Sequence, residues 1–235
     1  MTIKCPVCGK ENTYLLLRCA SCKSYIQPNL KALDLFATLF SLWRNPELTL
    51  KRIVIADHRN YTLLLALLEA LGLSFFFFYF IKAADVFSLS LSRVLMESFD
   101  LSLVVFLPTV YLFSALNYVV SRIRGTGARF RGIVSGTVYA LHPLALGAVI
   151  LFPVEVAIFG VYIFSNNPPP QVINPAAFYS MAFLGIVCCV TVVFYYVRFS
   201  RMLFGVGVFV FAFVATAIVS LFSSFEIAKM ILLAH

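Results

Sequence analysis

The sequence predicts an all-α polytopic membrane protein, in which five transmembrane helices are preceded by a small N-terminal zinc ribbon and amphipathic juxtamembrane helices. Three observations carry this prediction. Hydrophobic residues make up 62% of the chain and charged residues only 12%, whereas a soluble domain carries about 25% charged residues. The apolar residues occur in stretches long enough to cross a bilayer, which takes about 20 residues. Two Cys-x-x-Cys pairs stand together before the first of these stretches.

The first domain, residues 1–27, holds four of the cysteines. These cysteines form two Cys-x-x-Cys pairs, Cys5 with Cys8 and Cys19 with Cys22. Such a pair grips one metal ion from a tight turn, and four thiolates complete the closed tetrahedral shell of a structural zinc site. We therefore expect structural Zn²⁺, with rubredoxin-like iron as the alternative. The segment 13–18 between the pairs is predicted to be a short strand.

The N-terminus is expected to lie in the cytosol. Residues 1–30 contain charges and cysteines but no apolar core of a secretory signal peptide. Cytosolic thiols remain reduced. Metal ligation is therefore a better prediction than disulfide formation for the four clustered cysteines.

The second domain, residues 28–59, is predicted to form amphipathic juxtamembrane helices. Four apolar residues recur at helical spacing, namely Leu33, Phe36, Phe40 and Trp43. A tryptophan at the end of such a helix suits the headgroup zone of a bilayer. A second helix is predicted to start at 45–47, where an Asn precedes a Pro and a Glu, because these residues favour the first turn of a helix.

The third domain, residues 60–235, is the predicted transmembrane domain. Hydropathy predicts five spans, at about 60–82, 101–122, 133–164, 176–198 and 202–226. The run Asn-Asn-Pro-Pro-Pro at 166–170 divides a stretch that is too long for one span. Arg198 and Arg201 are predicted to mark a short turn between the last two spans. The segment 83–100 is expected to hold a short helix on the opposite side.

The basic residues predict the orientation. With five spans and a cytosolic N-terminus, the cytosolic segments 1–59, 122–131 and 198–201 hold nine, four and two Lys or Arg residues, fifteen in all. The opposite face holds three, Lys82, Arg93 and Lys229. An excess of Lys and Arg marks the cytoplasmic side, so the C-terminus is expected outside. Basic residues at the edges of apolar stretches also argue against a nucleic-acid partner.

Three ionisable residues within the predicted spans are candidates for function, Glu69, His142 and Glu155. A charge inside a bilayer is costly, so such residues face protein or water and often mark an ion pathway. One hypothesis is a proton- or cation-coupled pathway that uses all three. The alternative is that each group is protonated or hydrogen-bonded to a neighbouring helix.

The loop 122–131 is the most polar interior segment of the chain. It carries four arginines, Arg122, Arg124, Arg129 and Arg131. Arginines close to a membrane surface attract anionic lipid headgroups. They also mark topology, and the sequence does not separate these two roles.

Two motifs resemble the core of the Yip (Ypt-interacting protein) domain. The first is Gly-Thr-Gly-Ala-Arg-Phe-Arg at 125–131, followed by Tyr-Ala-Leu-His-Pro at 139–143. The second, at 45–53, is similar to the Pro-containing amphipathic segment before the first Yip span. The resemblance covers about 40–230 and implies a five-helix membrane domain with a cytosolic N-terminus. In eukaryotic members it implies Rab GTPase binding, oligomers and a role in vesicle traffic.

The N-terminus departs from the eukaryotic pattern, because a zinc ribbon stands in place of a long acidic arm. That arrangement looks like prokaryotic members of the family. We therefore expect the plasma membrane of a prokaryote, with a Golgi or ER membrane as the alternative.

The expected function is that of a non-enzymatic integral membrane scaffold or adaptor. The lipid bilayer surrounds it, and the ribbon docks a membrane-protein or cytosolic partner, with a homo-oligomer as a further expectation. A transporter or channel that uses the intramembrane carboxylates is the alternative. An enzyme acting on lipid is a third hypothesis, but the sequence contains no nucleophile–base pair, carboxylate dyad or phosphate-binding loop that supports it.

Overall fold

The computed structural model describes residues 2–13, 15–26, 33–56, 61–86 and 90–204. Its elements in chain order are β1 (Thr2–Lys4), β2 (Glu11–Thr13), α1 (Leu35–Arg44), α2 (Pro46–Ile55), α3 (Thr62–Ile81), α4 (Ala83–Val86), α5 (Leu91–Leu101), α6 (Leu107–Ile123), α7 (Phe130–Leu146), α8 (Phe152–Phe159), α9 (Pro170–Ile173) and α10 (Pro175–Phe204). Short π-helical segments, Ser102–Phe106 and Gly147–Leu151, join α5 to α6 and α7 to α8. A 3₁₀ segment, Gly160–Phe164, follows α8.

Four of the described helical stretches are long and apolar enough to cross a bilayer. They are Thr62–Ile81, Leu91–Ile123, Phe130–Phe164 and Pro175–Phe204. These helices define a multi-pass membrane protein, and the mostly helical fold agrees with the predicted class. Most of the predicted fifth span, residues 205–226, lies outside the described residues.

Two boundaries of the predicted spans differ from the structure. The second span is the end of a continuous helix that begins at Leu91 rather than near 101, because no Gly or Pro interrupts the segment before Pro108. The predicted turn at 198–201 is wrong, since α10 continues to Phe204. No helix breaker occurs between Gly185 and Gly205, and Arg198 pairs with Glu47 at 2.5 Å while remaining helical.

Each of the two π-helical segments ends two residues before a proline. Pro108 follows the first segment and Pro153 the second. A proline in a helix has no N–H to donate and clashes with the carbonyl four residues earlier. One wider turn relieves that clash, so both long spans continue through their prolines.

The described chain divides into two compact units. The first takes its residues from 2–63, 111–140 and 195–204. It contains the two strands, α1, α2, the first two residues of α3, and parts of α6, α7 and α10. The second takes its residues from 64–110 and 141–194.

In the first unit, two glycines allow α7 to pack closely on its neighbours. A Cβ at Gly132 would lie 2.3 Å from the Val54 carbonyl oxygen of α2, and one at Gly136 would lie 2.4 Å from the Phe199 ring of α10. Glycines four residues apart permit this approach of helix backbones. The juxtamembrane helix α2 is therefore packed into the unit, and its residues 53–56 are almost fully buried.

A polar cluster also links three helices of the first unit. The Tyr196 hydroxyl of α10 donates to Asn117 Oδ1 of α6 at 3.0 Å, and Asn117 Nδ2 donates to Thr137 Oγ1 of α7 at 3.3 Å. Asn117 and Thr137 are 0% exposed. Buried polar groups that are hydrogen-bonded specify one arrangement of the helices.

The second unit has an aromatic core. Phe75 of α3 stacks on Phe152 of α8 with ring centroids 3.5 Å apart, and buried phenylalanines of α3 pack with those of 105–106 and 159–164. The turns at its polar end are joined by Asp85, whose carboxylate accepts hydrogen bonds from the Ser165 hydroxyl and, at 2.5 Å, from the Asn166 backbone N–H.

Candidate metal centre

The cysteines lie on two turns that repeat the same backbone pattern. In the first turn the Gly9 N–H donates to the Cys5 carbonyl, and in the second the Lys23 N–H donates to the Cys19 carbonyl, both at 3.0 Å. Gly9 and Lys23 have positive φ angles of 68° and 59°. The repeat means that each Cys-x-x-Cys pair is presented by an equivalent turn.

Each turn is closed by a small antiparallel pairing. Strand β1 pairs with β2 around the first turn, with Ile3 opposite Asn12, and Arg18 bridges Tyr25 around the second. The predicted strand at 13–18 is therefore replaced by β2 at Glu11–Thr13 and by the single bridge at Arg18. The reason is that the backbone pairing flanks each cysteine turn, so the paired residues lie directly beside the cysteines.

The four sulfur atoms are arranged as a metal site requires. All four lie within 4.8 Å of one another. The Cys5–Cys22 and the Cys8–Cys19 sulfurs are both 3.6 Å apart. A tetrahedral zinc site with Zn–S bonds of about 2.3 Å separates its sulfurs by about 3.8 Å, whereas a disulfide needs about 2.05 Å. The described cysteines are free thiols, and their spacing fits one tetrahedral ion.

Neighbouring side chains hold the sulfurs in place. The Ser24 hydroxyl lies 2.9 Å from the Cys22 sulfur and 3.3 Å from the Cys5 sulfur. The Asn12 amide nitrogen lies 3.5 Å from the Cys19 sulfur, and its oxygen accepts the Ala20 N–H at 2.9 Å. Groups that orient ligands in this way raise metal affinity.

The thiol pKa values show why a cation is favoured at this site. The Ser24 hydroxyl, followed by the backbone N–H of Cys8, lowers the pKa of Cys5 to about 6. At Cys8 the Lys10 N–H favours the thiolate, but the Cys22 thiol and burial raise the pKa to about 11. Adjacent thiolates oppose one another's ionisation. A divalent cation removes that opposition, because it stabilises every thiolate it binds.

The chemistry of the donor set limits what the site can do. Four sulfurs around one ion leave no open coordination position, which is the arrangement of structural rather than catalytic zinc sites. Tetrahedral sulfur ligation suits zinc and iron alike. Cys5 and Cys19 are buried, whereas Cys8 and Cys22 are exposed, so the ion would lie near the surface of the module.

The loop 122–131 packs against this cysteine module. A Cβ at Gly127 would lie 2.9 Å from Thr13 Oγ1 and 3.2 Å from a Leu16 methyl carbon. The Arg129 guanidinium donates to the Ile55 carbonyl at 3.2 Å. All four loop arginines are exposed. The loop therefore joins the module to α2, while its charges remain accessible.

The three intramembrane candidates are not brought to one place. Glu69 is 0% exposed, and neither of its carboxyl oxygens has a hydrogen-bond partner among the described residues. A Cβ at Gly72, one turn later, would lie 2.8 Å from the Leu144 carbonyl oxygen. Because α3 and α7 run in parallel, Glu69 is level with 141–142 and thus with the buried His142.

Glu155 lies at a different level of the second unit. Its carboxyl is within electrostatic range of the Tyr79 hydroxyl. Tyr79 is ten residues beyond Glu69 in α3, which is about 15 Å along a helix. A single site shared by Glu69, His142 and Glu155 is therefore not formed.

Sequence reasoning missed several residues that position the candidate sites. Asn12 and Ser24 carry no spacing signal, because Asn and Ser make similar hydrogen bonds in any turn. The close packing of α7 had a signal in the Gly-x-x-x-Gly pattern at Gly132 and Gly136. Such a pattern inside an apolar stretch predicts helix packing.

Comparison with known proteins gave no match to a family model, to a curated protein or to a solved structure.

Proposed function

We propose that the chain is a non-enzymatic integral membrane scaffold or adaptor of the Yip-domain type, whose N-terminal cysteine module is a zinc ribbon that docks a partner. The observation that carries this proposal is the four-sulfur cluster, whose module packs through Thr13 and Leu16 on Gly127 of the loop between two membrane helices. A site without an open coordination position supports a structural ion. Its contact with the loop supports a role in holding a docking surface at the membrane.

The exposed parts of the module support docking. Val7, at the tip of the first turn, is 71% exposed, and Tyr25, beside the second turn, is 44% exposed. Exposed apolar and aromatic side chains on a rigid support are common anchors of protein interfaces. The partner class is a membrane protein or a cytosolic protein, and a second copy of this chain is the homo-oligomeric case.

The Yip assignment rests on the two motifs and on their structural role. Ala128, Tyr139, Ala140 and His142 are all almost fully buried. The buried positions of the motif support a shared helical architecture rather than a shared reaction, while its arginines remain exposed. With this assignment we also propose a fifth span that follows Phe204 and ends near 226. The assignment further implies a cytosolic N-terminus, an external C-terminus and residence in a prokaryotic plasma membrane, with a Golgi or ER membrane as the alternative.

The test is in-cell cross-linking from the module and from the loop 122–131, with partners identified by mass spectrometry. The variant replaces Cys5, Cys8, Cys19 and Cys22 by serine, and the matched control replaces Cys188 and Cys189. We expect the first variant to lose bound zinc and its cross-linked partner, and the control to keep both. An unchanged set of partners in the first variant would sink the docking proposal, and bound iron in the native chain would exclude zinc.

A second candidate function is supported by Glu69. A fully buried carboxyl with no hydrogen-bond partner among the described residues is a common feature of proton or cation pathways in membranes. If the chain is a transporter, Glu69→Gln should abolish ion flux in proteoliposomes. Glu155→Gln is the matched control, because that carboxyl lies at another level. A scaffold should carry no ion flux in the native chain or in either variant.

A further inference from the structure

One face of α1 is a stripe of large aromatic side chains that no part of the described chain covers. Phe36, Phe40 and Trp43 are 80%, 70% and 83% exposed. Their spacing of four and then three residues places them in one row along the helix. We refer to these three residues as the aromatic stripe.

The opposite face of α1 is fixed against the protein. Asp34 Oδ1 accepts the Ala37 N–H at 2.8 Å and caps the helix. Thr38 and Leu42 are 6% and 0% exposed. Polar residues of α1 and α2 line a hollow of about 180 Å³ between the two helices, among them Asp34, Thr38, Ser41, Thr49 and Arg52. Because Thr38 and Leu42 are buried on this side, the aromatic stripe faces away from the protein.

The packing of α2 on α7 gives the level of α1 relative to the first span. Asp34, at the start of α1, lines one hollow with Arg52 of α2, and the end of α2 packs on α7 at Gly132. Tyr61 directly precedes α3, and the hydroxyl of Thr62 lies 3.0 Å from that of Ser135. The N-terminus of α1 is therefore level with the point where the first span enters the bilayer.

Beyond the chain's own residues, three candidates can cover the aromatic stripe: water, a second copy of the chain, or lipid. Water is a poor solvent for three adjacent aromatic side chains. A second copy would gain little, since three aromatics of about 150–250 Å² each fall short of the about 800 Å² per partner of a stable interface. Lipid is present at this level, and a Trp followed by the basic Arg44 suits the bilayer interface.

We propose that α1 lies in the interfacial zone of the leaflet on the module's side of the membrane, with the aromatic stripe among the upper acyl chains. This inference rests on the membrane spans and on the geometry of α1, and it is independent of the docking function. In this position α1 is a membrane anchor in addition to the spanning helices. It fixes the depth at which the first span starts and the distance of the cysteine module from the bilayer.

Trp43 provides the test, because it is the only tryptophan of the chain. The full chain is reconstituted into phosphatidylcholine vesicles whose acyl chains carry bromine at shallow, middle or deep positions. Bromine quenches tryptophan only on contact, and iodide quenches it only from water. We expect Trp43 to lose most of its emission to shallow bromine and little to iodide.

Two control variants calibrate the measurement. Trp43→Phe combined with Val149→Trp moves the fluorophore to a lipid-facing position inside a span, where Val149 is 52% exposed. Trp43→Phe combined with Val7→Trp moves it to the exposed tip of the module. The first control should respond to deeper bromine and the second to iodide.

A further variant tests whether the stripe acts as a unit. Phe36→Ser with Phe40→Ser leaves Trp43 as the reporter and leaves the spans intact. We expect stronger iodide quenching and weaker bromine quenching than in the native chain. The proposal is overturned if iodide quenches native Trp43 as strongly as it quenches the Val7→Trp control. It is also overturned if neither reagent quenches Trp43, because another protein surface then covers the stripe.

Discussion

Gly9 and Lys23 occupy the same position in the two cysteine turns, and both have a positive φ. Glycine adopts this conformation at no cost, whereas a residue with a Cβ is strained by about 1–2 kcal/mol. The first turn is therefore relaxed and the second carries some strain. Both turns have to form before four sulfurs can surround one ion.

Gly9→Ala should weaken metal binding. No atom lies within 4 Å of a Cβ at Gly9, so the expected loss is a backbone effect alone, about tenfold in affinity. Competition with a chelating dye measures it. Lys23→Ala is the control, because lysine and alanine both have a Cβ and the backbone strain is unchanged. The metal affinity of this variant should stay near that of the native chain. Equal losses in the two variants would contradict the backbone explanation.

Among individual residues, the members of the metal site were predictable from the sequence only where the side chain has specific chemistry. Two Cys-x-x-Cys pairs close together in sequence are typical of metal sites, and the structure brings all four sulfurs within 4.8 Å of one another. Asn12 and Ser24 were not predictable, because hydrogen-bonding side chains of these types occur in most turns. The burial of Glu69 was expected from its place in an apolar stretch, but its distance from Glu155 depends on the register between helices.

At the scale of the element, α7 is the helix on which the first unit packs. Gly132→Ala would place a Cβ 2.3 Å from a backbone carbonyl that no side-chain rotation can move. We expect a loss of about 1–3 kcal/mol of stability, as is usual for overpacking. A lower unfolding temperature in detergent measures it.

The matched control is Gly185→Ala in α10, where nothing lies within 4 Å of the added Cβ. Alanine is the better helix former by about 1 kcal/mol, so this variant should unfold at the same temperature or slightly higher. If Gly132→Ala behaves like Gly185→Ala, then α2 and α7 are not in close contact in the membrane.

Asp85 holds two turns of the second unit together, and its role depends on pH. Its hydrogen bonds from the Ser165 hydroxyl and the Asn166 N–H lower the pKa of Asp85 below the ordinary value of 3.8. A lowered folded-state pKa means that the stabilisation is complete above the unfolded value and is lost as pH falls through the folded value. The protection of the Asn166 amide against hydrogen exchange should therefore fall below about pH 4.

Asp85→Asn should remove this pH response. The asparagine side chain keeps one acceptor oxygen, but its NH₂ group is a donor and cannot accept a hydrogen bond from the Ser165 hydroxyl or the Asn166 N–H. We expect Asn166 to be less protected than in the native chain at neutral pH and to show no further loss in acid. Unchanged protection at neutral pH would show that Asp85 does not join the turns.

Element boundaries were predictable where the chain contains a breaker. The Asn-Asn-Pro-Pro-Pro run separates the span that ends at Phe164 from α10. The start at Leu91 and the continuation past Arg201 were not predictable from hydropathy, because polar residues at the end of a helix lower hydropathy without ending the helix. An arginine there can pair with a neighbouring helix, as Arg198 does with Glu47.

For the whole molecule, the span Phe130–Phe164 separates two exposed segments. Ile123→Cys and Gln171→Cys, in a background without Cys188 and Cys189, should react with an impermeant maleimide from opposite sides of a sealed vesicle. The module's own cysteines, after removal of metal, should react from the same side as Ile123→Cys. Labelling of both introduced cysteines from one side would contradict the topology.

The paired sulfurs have a consequence for chain topology. Each 3.6 Å pair joins one turn to the other, and the Cys8–Cys19 loop of 11 residues lies inside the Cys5–Cys22 loop of 17. An ion that binds all four thiolates closes two nested loops at once. Closing a loop of about 15 residues removes about 3 kcal/mol of chain entropy from the unfolded state, while the module has few buried side chains of its own. Removal of the ion should therefore unfold the module into a flexible segment. The loop 122–131 would then lose the packing of the module against Gly127.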